Sequence, residues 1–587
     1  MQVKPGSIVT ALALCCALAV PALVSPAWAA DPAEPPLKTA IEDFLERLDA
    51  STHGLLKWEG ADRMEIRQEG DAAVAAIANA RIRVRSPEAK PGAPSARVSF
   101  DHIEIRRTPA PEDGVSLAVV FPRESIWHNG DGGETRLTLT EATGHAIIDA
   151  QSSRARETGL AFAGARLDDK ATGDWITVGP LSLSWKVVGG ADGGWTTPVD
   201  FELKRIEFSF TGVPVGGTIE RIAYNARTAG PDLAALNRLR DRVDQLRQEG
   251  DRPPAARLEA LLDMLPEFPS LLSLAKGEMT AEGVVARAPK GEPLVTLATA
   301  SIGAALTGLS GEAAALRITV KHDRLALAPA ILDGARVPQR VVLDFGVEEV
   351  ATAALRSILE AAKSMREGAS DADKTRGTMQ MLGAAAMLNP VLRLYDLALD
   401  TPGVGVDATA EAKGSPLSPK GYSAAGDVAV RGFDALPSLL GAVPLASYLP
   451  LLKEIGTAAS AADGTPRTNF HLASAPPKWI TLNGSDVAAW FAGNSAGPGE
   501  PRALRPAEPA MTGADVRAVQ KALAAAKLAA PQTGAYDGAT AAAVARFQKE
   551  NALNIDGVVD PATRQKLGIK AEPAPAQPGG SPPGRRG

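Results

Sequence analysis

Cysteine is almost missing from this chain of 587 residues. Its two copies, Cys15 and Cys16, fall inside an N-terminal apolar run, so a product without that run has no thiol. Disulfides, thiolate nucleophiles and Cys-ligated metals are then excluded together. Aromatic residues are scarce at 4%, and a core must be built mainly of Ala, Val, Leu and Ile. The six histidines, His53, His102, His128, His145, His322 and His471, are scattered. None belongs to a cluster with the short helical or hairpin spacing that a zinc site needs, so no metal site and no cofactor is read. Excess positive charge is absent as well, since the formal net charge is −6. An acidic, aromatic-poor chain lacks the footprint of a nucleic-acid binder.

What is present begins with an export signal. Lys4 forms a short charged start, an uncharged run extends from Ile8 to Val20, Pro21 breaks it, and Ala27-Trp28-Ala29 supplies the small residues that a signal peptidase needs. We expect residues 1–29 to be removed and the mature chain to lie in the periplasm. The run is shorter than the roughly 20 residues that span a bilayer, and no later window replaces it. No transmembrane segment is expected in the mature chain.

From 37 to 493 the text is strand-like. Apolar residues alternate in Ile82, Val84; in Val115, Leu117, Val119, Phe121; in Leu137, Leu139; and in Leu181, Leu183, Trp185, Val187. Such alternation marks half-buried antiparallel strands. Phe100-Asp101-His102-Ile103, Leu203-Lys204-Arg205-Ile206 and Ile219-Glu220-Arg221-Ile222 each break the period of two by one residue, as a β-bulge would. Helical spacing interrupts the strands at Leu233, Leu236, Leu239, Val243 and Leu246, over 350–365 and 379–395, and over 435–455, where Pro437, Pro444 and Pro450 preclude one straight helix. The fold class expected is α+β: a large antiparallel β-rich body with helical insertions, with two related halves divided near Pro269 as one option, plus a small C-terminal three-helix domain. Residues 494–511, rich in Gly, Pro, Ala and Glu, read as a linker that lets that domain move. Residues 571–587 read as a disordered tail.

The most specific text is a phrase that occurs twice. Gly534-Ala535-Tyr536-Asp537-Gly538-Ala539-Thr540 is echoed by Gly557-Val558-Val559-Asp560-Pro561-Ala562-Thr563. Each gives a turn glycine, an inward apolar residue, an Asp placed to cap a helix and a Thr three positions on. Before them, Val516, Val519, Gln520, Leu523 and Leu528 form one more helix face; after them, Gly568 follows Leu567 as a C-cap. With Val544, Phe547-Gln548, Leu553 and Asp556 these anchors resemble, in order, the small peptidoglycan-binding domain appended to many bacterial cell-wall enzymes. The first helix departs from that pattern by ending Ala524-Ala525-Ala526-Lys527-Leu528, without the usual glycine. The resemblance covers 512–570, about a tenth of the chain. It implies a shallow groove beside the second and third helices, with Tyr536, Gln548 and Asp556 as contacts to peptidoglycan. Eight basic against five acidic residues give the segment a net charge of +3, which suits carboxylate-bearing wall peptides.

Such domains often accompany a catalytic one, yet no catalytic set is legible. The transpeptidase cysteine is lacking, and Ser273-Leu274-Ala275-Lys276 matches Ser-x-x-Lys without its two companion motifs. The reading is a non-catalytic periplasmic protein that binds peptidoglycan and holds a β-rich body near the wall. A wall hydrolase or transferase with its site in the body is one alternative. A carrier of lipid or another hydrophobic ligand, on a loose likeness to long-sheet envelope proteins of the AsmA type, is the other.

Overall fold

The structure is a computed structural model. It describes residues 56–84, 96–110, 114–128, 133–149, 154–211, 215–248, 271–364, 370–414, 422–437, 448–461, 464–475, 478–487, 503–507 and 510–569, with helical fragments at 37–38, 41–42, 264 and 267. The expected signal peptide, the tail, the boundary at Pro269 and residues 494–502 lie outside this set. Every strand pair among the described residues runs antiparallel, as alternation rather than continuous apolar runs requires. The chain divides into two compact units, Met1–Gly334 with Val350–Leu388, and Ala335–Glu349 with Asn389–Gly587.

In the first unit, β1 (Ala72–Val84) pairs with β2 (Ala96–Ala110), and shorter strands complete a filled core. Val98, Leu117, Ile148 and Leu167 are fully buried there, each a member of an alternating strand. Burying each such side chain contributes about 1.5–3 kcal/mol at most. The strand β3 (Leu181–Lys186) joins this core to a meander of long strands: β4 (Trp195–Phe210), β5 (Val215–Gly230), β6 (Leu274–Arg287), β7 (Pro293–Thr307) and β8 (Ala313–Asp323).

The places where the sequence breaks its period are not bulges with an extra residue. Lys204 pairs with Arg221 and Ile206 with Ile219, so the register is the same on both sides of Arg205. Arg205 instead takes φ +50, as Asn79 (φ +51) does opposite the Phe100 copy and Gly283 (φ +61) does against Glu220. One left-handed residue swaps which side chains face the core without shifting the ladder. For Arg205, which has a Cβ, that conformation costs about 1–2 kcal/mol.

Before these turning points the meander has two unlike faces. On one, register places Phe201, Tyr224, Met279, Ile302 and Val320 side by side across five strands. On the other, Arg221 bridges Glu202 at 2.7 Å and Glu282 at 2.8 Å. The same unit carries the helices α1 (Leu233–Gln248), α2 (Thr352–Ser364) and α3 (Asp371–Met387). The helix expected to reach Tyr395 stops earlier. Asn389 turns to φ +39 before Pro390, which disfavours helix in the residue ahead of it, and Tyr395 lies in a strand.

The second unit is a meander of β9 (Arg340–Ala351), β10 (Val391–Asp400), β11 (Gly405–Gly414), β12 (Tyr422–Arg431) and β13 (Pro466–Ala475). A 3-10 turn at Phe433–Ala435 and α4 (Leu449–Ile455) are the described parts of the third expected helical group. Pro450 is tolerated in the first turn of α4, where no backbone donor is needed. Three further helices, α5 (Ala514–Ala525), α6 (Gly538–Glu550) and α7 (Pro561–Lys566), form the C-terminal domain.

Candidate functional site

The twice-used phrase builds the same device twice. Asp537 and Asp560 accept the backbone N–H of Thr540 and Thr563 at 2.8 and 2.7 Å, capping α6 and α7. Gly534 (φ +73) and Gly557 (φ +65) make the left-handed turns ahead of them. Each turn is gripped by a glutamine from the preceding helix. Gln520 accepts the Gly534 N–H at 2.9 Å and donates to the Ala535 carbonyl at 2.9 Å and to Thr540 Oγ1 at 3.0 Å. Gln548 accepts the Gly557 N–H at 2.8 Å and donates to the Val558 carbonyl at 2.9 Å and to Thr563 Oγ1 at 3.2 Å. A buried amide that satisfies both its donors and its acceptor in this way fixes a loop at little cost.

The helix ends repeat as well. Leu528, Leu553 and Ile569 donate back to the carbonyls of Leu523, Gln548 and Arg564, and the residue before each is left-handed: Lys527 (φ +63), Ala552 (φ +54) and Gly568 (φ +70). All three helices thus close in a Schellman motif, and only the last has the glycine that the motif favours.

Residues 512–567 match the family of the putative peptidoglycan binding domain. The chain has no match among curated proteins. The matched segment runs to the residue after α7 and contains the core of the three helices together with the two glutamine clasps.

The three residues read from sequence as contacts are brought together, but inside the domain. Tyr536 is fully buried and its hydroxyl donates to the Gly557 carbonyl at 2.6 Å. Burial pushes its phenol well above its usual range, so it stays neutral. Gln548 is the clasp itself. Asp556 is 5% exposed and accepts from Val558 N–H and Gln548 at 2.8 Å and from Asn554 at 2.9 Å. Burial raises its carboxyl above the ordinary range, against the lowering effect of those hydrogen bonds. As packed, these side chains position backbone and offer almost nothing to a ligand from solution. Gln520, equally buried, is the framework residue that sequence reading passed over as a site. The signal was available, because each Gly-x-x-Asp-x-x-Thr phrase is preceded by a helix with an inward glutamine.

The domain does not stand free of its unit. Leu504 in the expected linker is fully buried, and its carbonyl accepts the Val559 N–H at 2.8 Å. Tyr448 donates to the Ala507 carbonyl at 2.6 Å. Asn554 exchanges two hydrogen bonds of 2.7 Å with the backbone of Asp486. The helix α4 packs along α6, with Arg546 Nε 3.1 Å from Glu454 Oε1. One apolar core runs from Phe433, Leu451 and Phe470 through Leu504 to Val516, Val544 and Phe547.

Proposed function

We propose that the chain is a non-catalytic periplasmic protein, exported by a cleaved signal peptide, which binds peptidoglycan through residues 512–570 and holds β-rich units beside the wall. The observation that carries this is the family match over a segment whose two glutamine-clasped turns and capped helices are complete. Weak, reversible contacts to a polymer of repeating units would raise the local concentration of the attached sheets near the sacculus. Among the described residues no helix is long and apolar enough to cross a membrane. The test is co-sedimentation of the full-length mature protein with purified sacculi, competed by soluble muropeptides. Recovery equal to that without sacculi would sink the reading. Release of soluble fragments in the same incubation would replace it with the hydrolase alternative.

A specific feature of the first unit supports a second reading, a surface for lipid or another hydrophobic ligand. Along the row Phe201, Tyr224, Met279, Ile302 and Val320, exposure rises to 50% at both Met279 and Ile302. The neighbouring row, Ala226, Gly277 and Ala304, is small, and the Tyr224 ring leans over Gly277. Four strand spacings of about 4.8 Å give the row a length near that of an extended acyl chain. Native mass spectrometry of the purified protein tests for a co-purified lipid.

A further inference from the structure

The peptidoglycan-binding domain has three sides on which a polymer could lie, and its own unit takes one of them. Ala541, Ala542, Ala543, Val544 and Ala545 are all fully buried. A helix sealed on every side over five consecutive residues has partners all round, and α4 lies along it. Leu451 covers the Gly557 turn, Glu454 meets Arg546, and the Asp486 backbone holds Asn554. The interior is closed as well, since Tyr536, Gln548 and Asp556 are spent on the clasp.

The outward stripe of α5 is open, as are Pro561, Ala562, Gln565 and Lys566 of the short helix α7. Ala514, Arg517, Lys521, Ala524 and Ala525 are exposed along the α5 stripe, and the two cations stand four residues apart on one side of the helix. Only alanine flanks them in the stripe, so a flat polymer can approach without obstruction. Their charges are also unspent. Several other exposed arginines sit in ion pairs, as Arg166 does with Asp168 and Arg205 with Glu207. Among the described residues no acid pairs with Arg517 or Lys521. The Arg517 side chain lies beside the Gly534 turn: a Cβ at Gly534 would come within 3.3 Å of its Cγ and 3.1 Å of its Nη1.

Resting on the peptidoglycan reading above, we infer that the outer stripe of α5, with Arg517 and Lys521 as its charged contacts, is the face that meets the wall. Its ligand groups are the free carboxylates of the peptide stems, which the guanidinium and the ammonium take as charge-assisted hydrogen bonds. The face beneath α4 is a structural interface.

The experiment uses full-length mature protein and purified sacculi. Wild type is compared with Arg517→Glu/Lys521→Glu, with Lys549→Glu/Lys566→Glu as a control of equal charge change in the same domain, and with Leu451→Asp, which loosens α4; thermal melts establish that each is folded. The stripe variant is expected to lose about tenfold in retention, roughly what two such contacts supply, and the control to behave as wild type. Sacculi whose carboxyls have been amidated are expected to release wild type to the same degree. Equal losses in stripe variant and control, undiminished binding by the stripe variant, or stronger binding by Leu451→Asp would overturn the assignment. Wild type retained on amidated sacculi would mean that a different anion, such as a phosphate-bearing polymer, is read, and would overturn it too. Failure of wild type to bind ordinary sacculi is a separate result that removes the peptidoglycan reading itself.

Discussion

Leu451 of α4 fills the space above Gly557 in which any other residue would place its Cβ. A Cβ there would lie 2.5 Å from Leu451 Cδ1 and 3.0 Å from the Ala541 carbonyl oxygen, in a turn already at φ +65. Its counterpart Gly534 has only the flexible Arg517 side chain nearby. Gly534→Ala should therefore cost about 1–2 kcal/mol, the left-handed penalty alone. Gly557→Ala should cost about 2–5 kcal/mol, because overpacking against Leu451 is added. Denaturant unfolding of both variants checks the order, and a double-mutant cycle with Leu451→Ala should return a coupling well above zero. Equal costs would mean that α4 does not press on the turn.

Lys527 and Ala552 sit where glycine belongs. Each holds the left-handed position of a Schellman motif at φ +63 and +54, while Gly568 does so without penalty. Lys527→Gly and Ala552→Gly should each stabilise the domain by up to about 1 kcal/mol, the relief of left-handed strain less the extra freedom of glycine in the unfolded chain. A rise in the unfolding midpoint with unchanged slope is the expected signature. Destabilisation by both would contradict the assigned backbone.

Much of the C-terminal domain was legible because its chemistry is local. Asp537 and Asp560 announce helix starts, and Gly534 and Gly557 announce turns, within a few residues of where they act. The long strands were legible for the same reason, through alternation at Leu181, Leu183 and Trp185. The placement of Tyr536, Gln548 and Asp556 was not. Polar side chains read as surface, and their burial depends on three segments converging, which no local window contains. The left-handed turn at Arg205 was hidden too, since arginine carries no preference for it; only the break in period was visible, and an inserted residue would give the same break. The contact of α4 with α6 joins residues about ninety apart in sequence and left no periodic mark at all.

Asp556 gives the domain a definite dependence on pH. Its carboxyl is raised by burial in the folded state, so the native protein holds that proton more tightly than the unfolded chain does. The stabilisation linked to it is complete below the ordinary carboxylate range and is lost as pH rises through the folded value. Asp556→Asn lacks this term. The stability of the wild type relative to the variant should therefore fall as pH rises from the ordinary carboxylate value of about 4 through the raised folded value, whatever the constant offset from the altered bond to Asn554. Melting curves for both proteins across that interval measure the trend. A difference that does not change with pH, or that moves in favour of wild type as pH rises, would contradict the assignment of burial as the dominant cause.

Met279 and Ile302 separate a filled core from an open surface. Both are half exposed although they are paired directly across β6 and β7 in the centre of an apolar row. Were this face only the outer side of a packed sheet, charge there would be harmless to everything but stability. Each side chain gives up about half of the roughly 1.5–3 kcal/mol that full burial would supply, so Met279→Glu with Ile302→Glu should destabilise by only about 1–3 kcal/mol in total. On the hydrophobic-ligand reading the same pair should also abolish binding of a fluorescent fatty-acid probe, because a carboxylate in the middle of the row would have to be desolvated beneath an acyl chain. Glu placed at Lys276 and Ser301, which pairing sets on the polar side of the same strands, should leave probe binding intact. Probe binding that is absent in wild type, or that survives in the apolar-face variant, would leave the row as an exposed but unoccupied side of the sheet.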